Sequence, residues 1–331
     1  MNLLKITLIQ DFSKLHEQLK TDEPSVVTIG NFDGCHLGHQ VLLKKALDLS
    51  KRKKLRSIVV TFEPSPRLIF RKGVTDQNLF TLKQKKTIFS ELGFDHMLLI
   101  HFNKEFSRFS HEYFYNDFLR KSLKTQYLVL GANFFFGQGK KGNITWLEKK
   151  CREDGIKLEV FRKELKGVGL ISSSGIRQTL LEQGDVEFAN KALGRMYCVM
   201  GTVVKGKQLG RTFGVPTLNV HVSNQIVPKT GVYCGYLHFS SQEKLKILAP
   251  SDPLLPAVCN IGYRPTVAFD FENKISFEVH LIDQKLPADS CYGKNILFFF
   301  FKRLRSEKKF STIDELKDQI EKDIVSAKDQ L

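Results

Sequence analysis

The sequence predicts an α/β domain built on a parallel sheet, followed by a mainly β domain that closes as a small antiparallel barrel and ends in a helix. Three observations predict it. Short β-rich runs alternate with longer helical patterns over roughly the first half of the chain, which implies βαβ units and a sheet covered on both faces. After Tyr197 the texture changes to short strands punctuated by Gly, Pro and Asn, as in small antiparallel barrels. The chain has 331 residues, too many for one ordinary core and suited to two. The boundary is placed at residue 186, giving domains 1–185 and 186–331.

In the first domain Ser25–Ile29 reads as a strand and Leu37–Lys53 as a helix whose apolar residues are Val41, Leu42, Leu43, Ala46, Leu47 and Leu49. Strands follow at Ser57–Phe62, Met97–Ile100, Tyr127–Leu130 and Lys157–Phe161, with helices at Leu82–Leu92 and Glu112–Leu123. Ser173 is placed to cap a helix that runs to about Gln183, where Gly184 offers a stop. Asp185–Leu193 reads as a short connecting helix. The second domain then reads as strands at Cys198–Val204, Val215–Val220, Val232–Phe239, Ala257–Ile261, Ile275–Leu281 and Ile296–Phe301. A last helix spans Ile313 to about Ala327, with Thr312 as cap and Glu315 completing a capping box.

Composition narrows the function classes. Hydrophobic residues make up 42% and charged residues 26%, a globular balance rather than a disordered one. The 27 phenylalanines predict aromatic cores. No apolar run approaches the ~20 residues of a membrane helix, and the N-terminus lacks a signal-peptide pattern. The six cysteines are scattered without a CxxC pair. They read as free thiols of a cytoplasmic protein, and the nine histidines do not join them in zinc-ligand spacing. The net charge is +16. Nucleic-acid motifs do not accompany it, which leaves two readings open: attraction of polyanionic small molecules such as ATP, or simply a solvated basic surface.

The most specific stretch is Thr28-Ile-Gly30-Asn-Phe32-Asp33-Gly34-Cys-His36-Leu-Gly38-His39. It follows a predicted strand and opens a predicted helix, which is where an open α/β sheet binds ligands. Gly30, Gly34 and Gly38 let backbone approach phosphate, and the helix start adds N–H donors and a positive dipole end. His36 and His39 are three apart and can project together. Nucleotidyl transfer needs donors that meet charge developing on the ATP α-phosphate, and two imidazoles can supply them.

This stretch resembles the HxGH nucleotidyltransferase superfamily, in the form of its flavin branch, the prokaryotic bifunctional riboflavin kinase/FAD synthetases. The likeness continues through Phe62-Glu-Pro-Ser-Pro66, Leu130-Gly-Ala-Asn133-Phe-Phe-Phe-Gly137 with Gly142-Asn143, and Ile171-Ser-Ser173-Ser174-Gly-Ile-Arg177. The resemblance implies a Rossmann-like fold for the first domain. It implies that Asn133 and the Phe-rich loop help hold nucleotide or flavin, and that Gly30, Phe32, Asp33 and Gly34 line the nucleotide site. Ser173, Ser174 and the amides after them would form a second helix-start anion site. Arg177 offers a fixed positive fork for ATP phosphates or departing pyrophosphate. Many family members have Thr where this chain has Ser174, and Asp where it has Asn133.

In the second domain Gly201 to Asn219 resembles the riboflavin kinase signature, including its PTxN element at Pro216–Asn219. Gly206, Gly210, Arg211 and Gly214 would bring donors to ATP phosphates. Thr217 and Asn219 offer neutral oxygens on one face of a strand, and oxygen ligands suit Mg²⁺. Lys207-Gln208 stands where many relatives are acidic. Carried over by position in Phe277-Glu278-Val279, Glu278 is the candidate base for the ribityl 5′-hydroxyl. The implied substrates are riboflavin, FMN and ATP, with FAD as final product; no nucleic-acid or membrane partner is implied. Two other readings stay open: one active half beside one degenerate half, or a non-catalytic flavin- or RNA-binding protein reusing these folds.

Overall fold

The computed structural model describes residues 4–12, 23–70, 77–161, 171–206, 215–240, 246–248, 254–263, 275–284 and 288–331. The chain divides into two compact units, residues 1–76 with 82–171 and residues 77–81 with 172–331. By packing, the helices after Ile171 therefore belong with the barrel, fourteen residues before the boundary expected at 186.

The first unit holds a six-stranded parallel sheet in the order β1-β4-β3-β2-β5-β6. Its strands are β1 (Lys5–Ile9), β2 (Ser25–Ile29), β3 (Arg56–Glu63), β4 (His96–His101), β5 (Thr125–Gly131) and β6 (Lys157–Phe161). β2 lies inside the sheet and all five of its residues are buried, as a strand covered on both faces requires. The helices α1 (Leu37–Lys53), α2 (Leu82–Leu92) and α3 (Ile144–Glu153) fall between strands. α1 turns Leu42, Leu43, Ala46, Leu47 and Leu49 inward, while Val41 stays 37% exposed.

Two local expectations change here. β1 was not anticipated; among the described residues it is an edge strand paired only with β4, and the apolar residues of its alternation, Ile6 and Leu8, stay 42% and 49% exposed. The helix expected over 112–123 is a single turn, His111–Tyr113, running into a π-helical stretch, Phe114–Ser122. The wider turn lets Phe114, Tyr115, Phe118 and Leu119 all face the core.

The second unit is a closed barrel in the order β10-β11-β8-β7-β12-β9. α4 (Ser173–Glu182) and α5 (Val186–Leu193) precede it. Its strands are β7 (Tyr197–Val204), β8 (Leu218–His221), β9 (Gly231–Ser240), β10 (Leu255–Tyr263), β11 (Ile275–Leu281) and β12 (Asn295–Arg305), and α6 (Ile313–Gln330) follows. The cap of α4 is Ser172, whose Oγ accepts from Gly175 N at 3.1 Å; Ser173, expected as cap, is the first helical residue. β8 starts at Leu218 rather than Val215, because Pro216 has no N–H for a ladder. β12 runs four residues past Phe301 on bulges against β9. The segment 77–81 is held by this unit: Leu79 O accepts from Tyr197 Oη at 3.2 Å and Gln225 Nε2 at 2.9 Å.

Candidate functional sites at the sheet switch point and on the barrel wall

β2 continues to β3 on one side of the sheet, while β5 joins it from the other. That makes the carboxyl ends of β2 and β5 a topological switch point, the place where open α/β sheets bind ligands. The histidine loop leaves β2 there and the Asn133 loop leaves β5.

The histidine loop is tightly bent. Gly30 N donates to Val60 O at 3.1 Å. Phe32 (φ 48°) and Cys35 (φ 41°) are both left-handed, with Gly34 at φ 75° between them. Non-glycine residues there cost about 1–3 kcal/mol each unless packing over-determines them. Packing does so: Phe32 is 1% exposed and meets His39 (5.4 Å) and Phe89 (5.8 Å) edge-on. Asp33, Gly34 and Cys35 are buried in the same turn. Thr61 Oγ1 donates to Asn31 O at 3.2 Å, and Asn31 Nδ2 donates to Ser65 Oγ at 2.8 Å.

His36 caps α1. Its Nδ1 accepts from His39 N at 3.3 Å, which places the proton of the neutral ring on Nε2 and leaves that atom as the donor. The two imidazoles stack with centroids 3.7 Å apart and planes at 18°. A stacked pair at a helix N-terminus is a donor cluster for an anion. Asn133 is exposed on the loop after β5. Of the phenylalanines beside it, Phe136 is core, stacked on the half-buried Phe134 at 5.5 Å, and Phe135 is 54% exposed. Ser173, Ser174 and Arg177 lie on α4, in the second unit.

On the barrel, Phe277 and Val279 are buried and Glu278 between them faces outward, as strand alternation requires. Glu278 pairs directly with Asn219 on one side and Asn260 on the other, so these three side chains share the outer face. Gly206 lies against that face: a Cβ there would overlap the Asn219 amide. Ser276 Oγ donates to Glu278 Oε1 at 2.8 Å. His280 Nδ1 donates to Pro216 O at 2.9 Å and ties down the residue before Thr217. Ser276, Asn260 and His280 were missed in the sequence; Ser276 and His280 stand two places from Glu278 and share its strand face. Burial pushes the Cys259 thiol far up, with the nearby Glu278 charge adding to it. Gly210, Arg211, Gly214 and Lys207 lie outside the described residues, as do 264–274.

The donor set bears on a metal. Among the described residues no cluster of three or more His, Cys, Asp or Glu side chains could hold an ion. An ion here would rest on neutral oxygens, Asn219 and the half-buried Thr217, and take further ligands from phosphates and water. That donor chemistry fits Mg²⁺.

The chain matches FAD synthetase over residues 18–175 and riboflavin kinase over residues 193–331. It is 35% identical over 307 residues to the bifunctional riboflavin kinase/FMN adenylyltransferase of Escherichia coli K12, covering 93% of both chains. The chain belongs to the bifunctional riboflavin kinase/FMN adenylyltransferase family. The Bacillus subtilis member is 35% identical over 312 residues, again with 93% of each chain covered. The family's two enzymes are both present: a riboflavin kinase and an FMN adenylyltransferase, with ATP as co-substrate. A solved structure described as a macrolide-efflux protein from Streptococcus pneumoniae shares the fold, with TM-score 0.82 and 26% identity over 97% of this chain and 99% of that one. Among the described residues no helix is long and apolar enough to cross a membrane.

Proposed function

We propose that the two reactions run on separate constellations, adenylyl transfer on residues 1–185 and riboflavin phosphorylation on residues 186–331. In the first, an FMN phosphate oxygen attacks the α-phosphorus of ATP, and the bond to pyrophosphate breaks. His36 and His39 donate to the oxygens that gain charge. Gly30, Phe32, Asp33 and Gly34 shape the nucleotide seat, and Asn133 holds nucleotide or flavin.

In the second, Glu278 takes the proton of the ribityl 5′-hydroxyl as that oxygen attacks the γ-phosphorus of ATP. Ser276 orients the Glu278 carboxylate. Thr217 and Asn219 hold Mg²⁺, which when bound neutralises phosphate charge. Gly206, Gly210, Arg211 and Gly214 cradle the phosphates. The observation that supports this reading is the direct pairing of Glu278 with Asn219 beside Gly206, which puts these three residues on one patch of the barrel wall. The partners are small molecules, with no nucleic acid or membrane among them. Six buried free thiols fit a cytoplasmic, reducing setting.

The test is separability in the full chain. His36→Ala or His39→Ala abolishes FAD formation from supplied FMN and leaves FMN formation from riboflavin near normal. Equal loss of both products in a folded variant refutes the assignment.

A further inference from the structure

Lys85 is one of the largest fully buried side chains, 2% exposed. Lysine is almost never buried unless paired. Its partner is Glu63, whose Oε2 lies 3.4 Å from Nζ. Glu63 is the last residue of β3, and its side chain keeps 32% exposure. The turn that follows carries Ser65, which is 1% exposed and receives the Asn31 amide at 2.8 Å. Asn31 belongs to the histidine loop.

The same helix touches that loop a second time. Phe89 is one turn beyond Lys85 on α2, hence on the same face, and meets Phe32 edge-on at 5.8 Å. One face of α2 thus grips two neighbouring loops, the histidine loop after β2 through a ring and the loop after β3 through an ion pair. Packing alone would not select lysine here, because replacing a buried ion pair by apolar residues is often neutral or stabilising. What an apolar side chain cannot do is fix the direction of the Glu63 carboxylate.

We infer that Lys85 is a positioning residue for adenylyl transfer: through Glu63 it holds the turn 63–65, and through the Ser65–Asn31 bond it sets the placement of the His36/His39 loop. This rests on the reading of that loop as the adenylyl-transfer site. Lys85 itself touches no substrate.

The experiment uses the full chain and three variants: Lys85→Met, Glu63→Gln and the double. FAD formation from FMN and ATP gives kcat and both KM values, riboflavin phosphorylation serves as the fold control, and a melt gives stability. Lys85→Met lowers kcat for FAD formation by ~10–100-fold, as loosening a reacting geometry does. Both KM values stay within about threefold and FMN formation is unchanged, while the melting temperature falls modestly because the single change leaves the Glu63 carboxylate, 32% exposed, without its partner. Glu63→Gln gives a similar loss, and the double variant is no worse than the worse single one. A Lys85→Met kcat within twofold of wild type, or losses that multiply in the double, overturns the inference. If Lys85→Met does not fold, Glu63→Gln decides: wild-type kcat there overturns it equally. His39→Ala in parallel separates the two ideas, since FAD formation surviving that change removes the underlying site assignment instead.

Discussion

Glu278 and its neighbours make the sharpest statements at the scale of single residues. Glu278→Gln keeps shape and hydrogen-bonding reach but cannot take the proton as a carboxylate does, so riboflavin kinase turnover falls by ~10²–10⁴-fold. Thr217→Ala and Asn219→Ala remove proposed Mg²⁺ donors, and raising Mg²⁺ restores part of their activity. A Mg²⁺ titration of kinase turnover distinguishes the two classes, and rescue of Glu278→Gln by the metal recasts that residue as a metal-site group. Gly206→Ala is a steric counterpart. The added methyl collides with the Asn219 amide, so the variant behaves like an Asn219 variant in the same titration. A wild-type response sinks the link between Gly206 and the metal site. FAD formation from supplied FMN survives all of these changes.

At the scale of elements, α6 is attached to the barrel by a clamp and a cap of unequal weight. Arg305 on β12 grips Asp323 with three bonds, Nε to Oδ1 at 2.8 Å and to Oδ2 at 3.1 Å, and Nη2 to Oδ2 at 2.7 Å. Both side chains are largely buried, at 17% and 8% exposure. Asp323→Ala strands the guanidinium and costs ~3 kcal/mol or more, about 6–12 °C of melting temperature for a unit of this size. The cap is exposed: Thr312 Oγ1 accepts from Glu315 N at 3.2 Å, and Glu315 Oε2 accepts from Ser311 N at 2.9 Å. Thr312→Ala costs ~1 kcal/mol. Calorimetry of the two variants orders them, and a larger loss from Thr312→Ala contradicts the account. The cap was legible in the sequence because its partners are local. The clamp joins residues eighteen apart in different elements, and no spacing rule announces it.

The whole molecule carries a pH signature. Burial pushes the Cys151 thiol up to about 11 and the Tyr233 phenol up to about 12, and it raises Cys234 and Cys259. The unfolded chain releases these protons near the ordinary thiol and phenol values of 9.0 and 10.0, while the folded chain keeps them. Above pH 9 the unfolded state therefore binds fewer protons, and stability falls as pH rises. The stabilising contribution is complete below pH 9 and is lost between about pH 9 and 12. A melting temperature that stays flat from pH 7 to 11 would refute this. The division into units makes a second prediction. A fragment from Ser172 to Leu331 phosphorylates riboflavin but melts below the barrel transition of the full chain. It lacks residues 77–81, whose Leu79 carbonyl satisfies Tyr197 and Gln225 and whose Phe80 ring lies 4.9 Å from the Arg195 guanidinium. Equal melting temperatures would mean that this segment adds nothing to the barrel.

Local and periodic information was enough for much of this protein. The alternation of Phe277, Glu278 and Val279 placed Glu278 on the outer face, the glycines and histidines from Gly30 to His39 marked a strand-to-helix turn, and the change of texture after Tyr197 separated sheet from barrel. Those features depend on neighbours in the chain, where period and turn chemistry act. Tertiary structure alone decided the rest. Lys85 sits in a lysine-rich run, Leu82-Lys-Gln-Lys-Lys86, and only the packing of α2 on the histidine loop and the end of β3 turns one of its lysines inward. Asn260 and Asn219 become the flanks of Glu278 through strand register, and the segment 77–81 joins the barrel through bonds to residues more than a hundred positions away. Burial, register and long-range pairing are properties of contacts between distant segments, and they exist only once the chain has closed on itself.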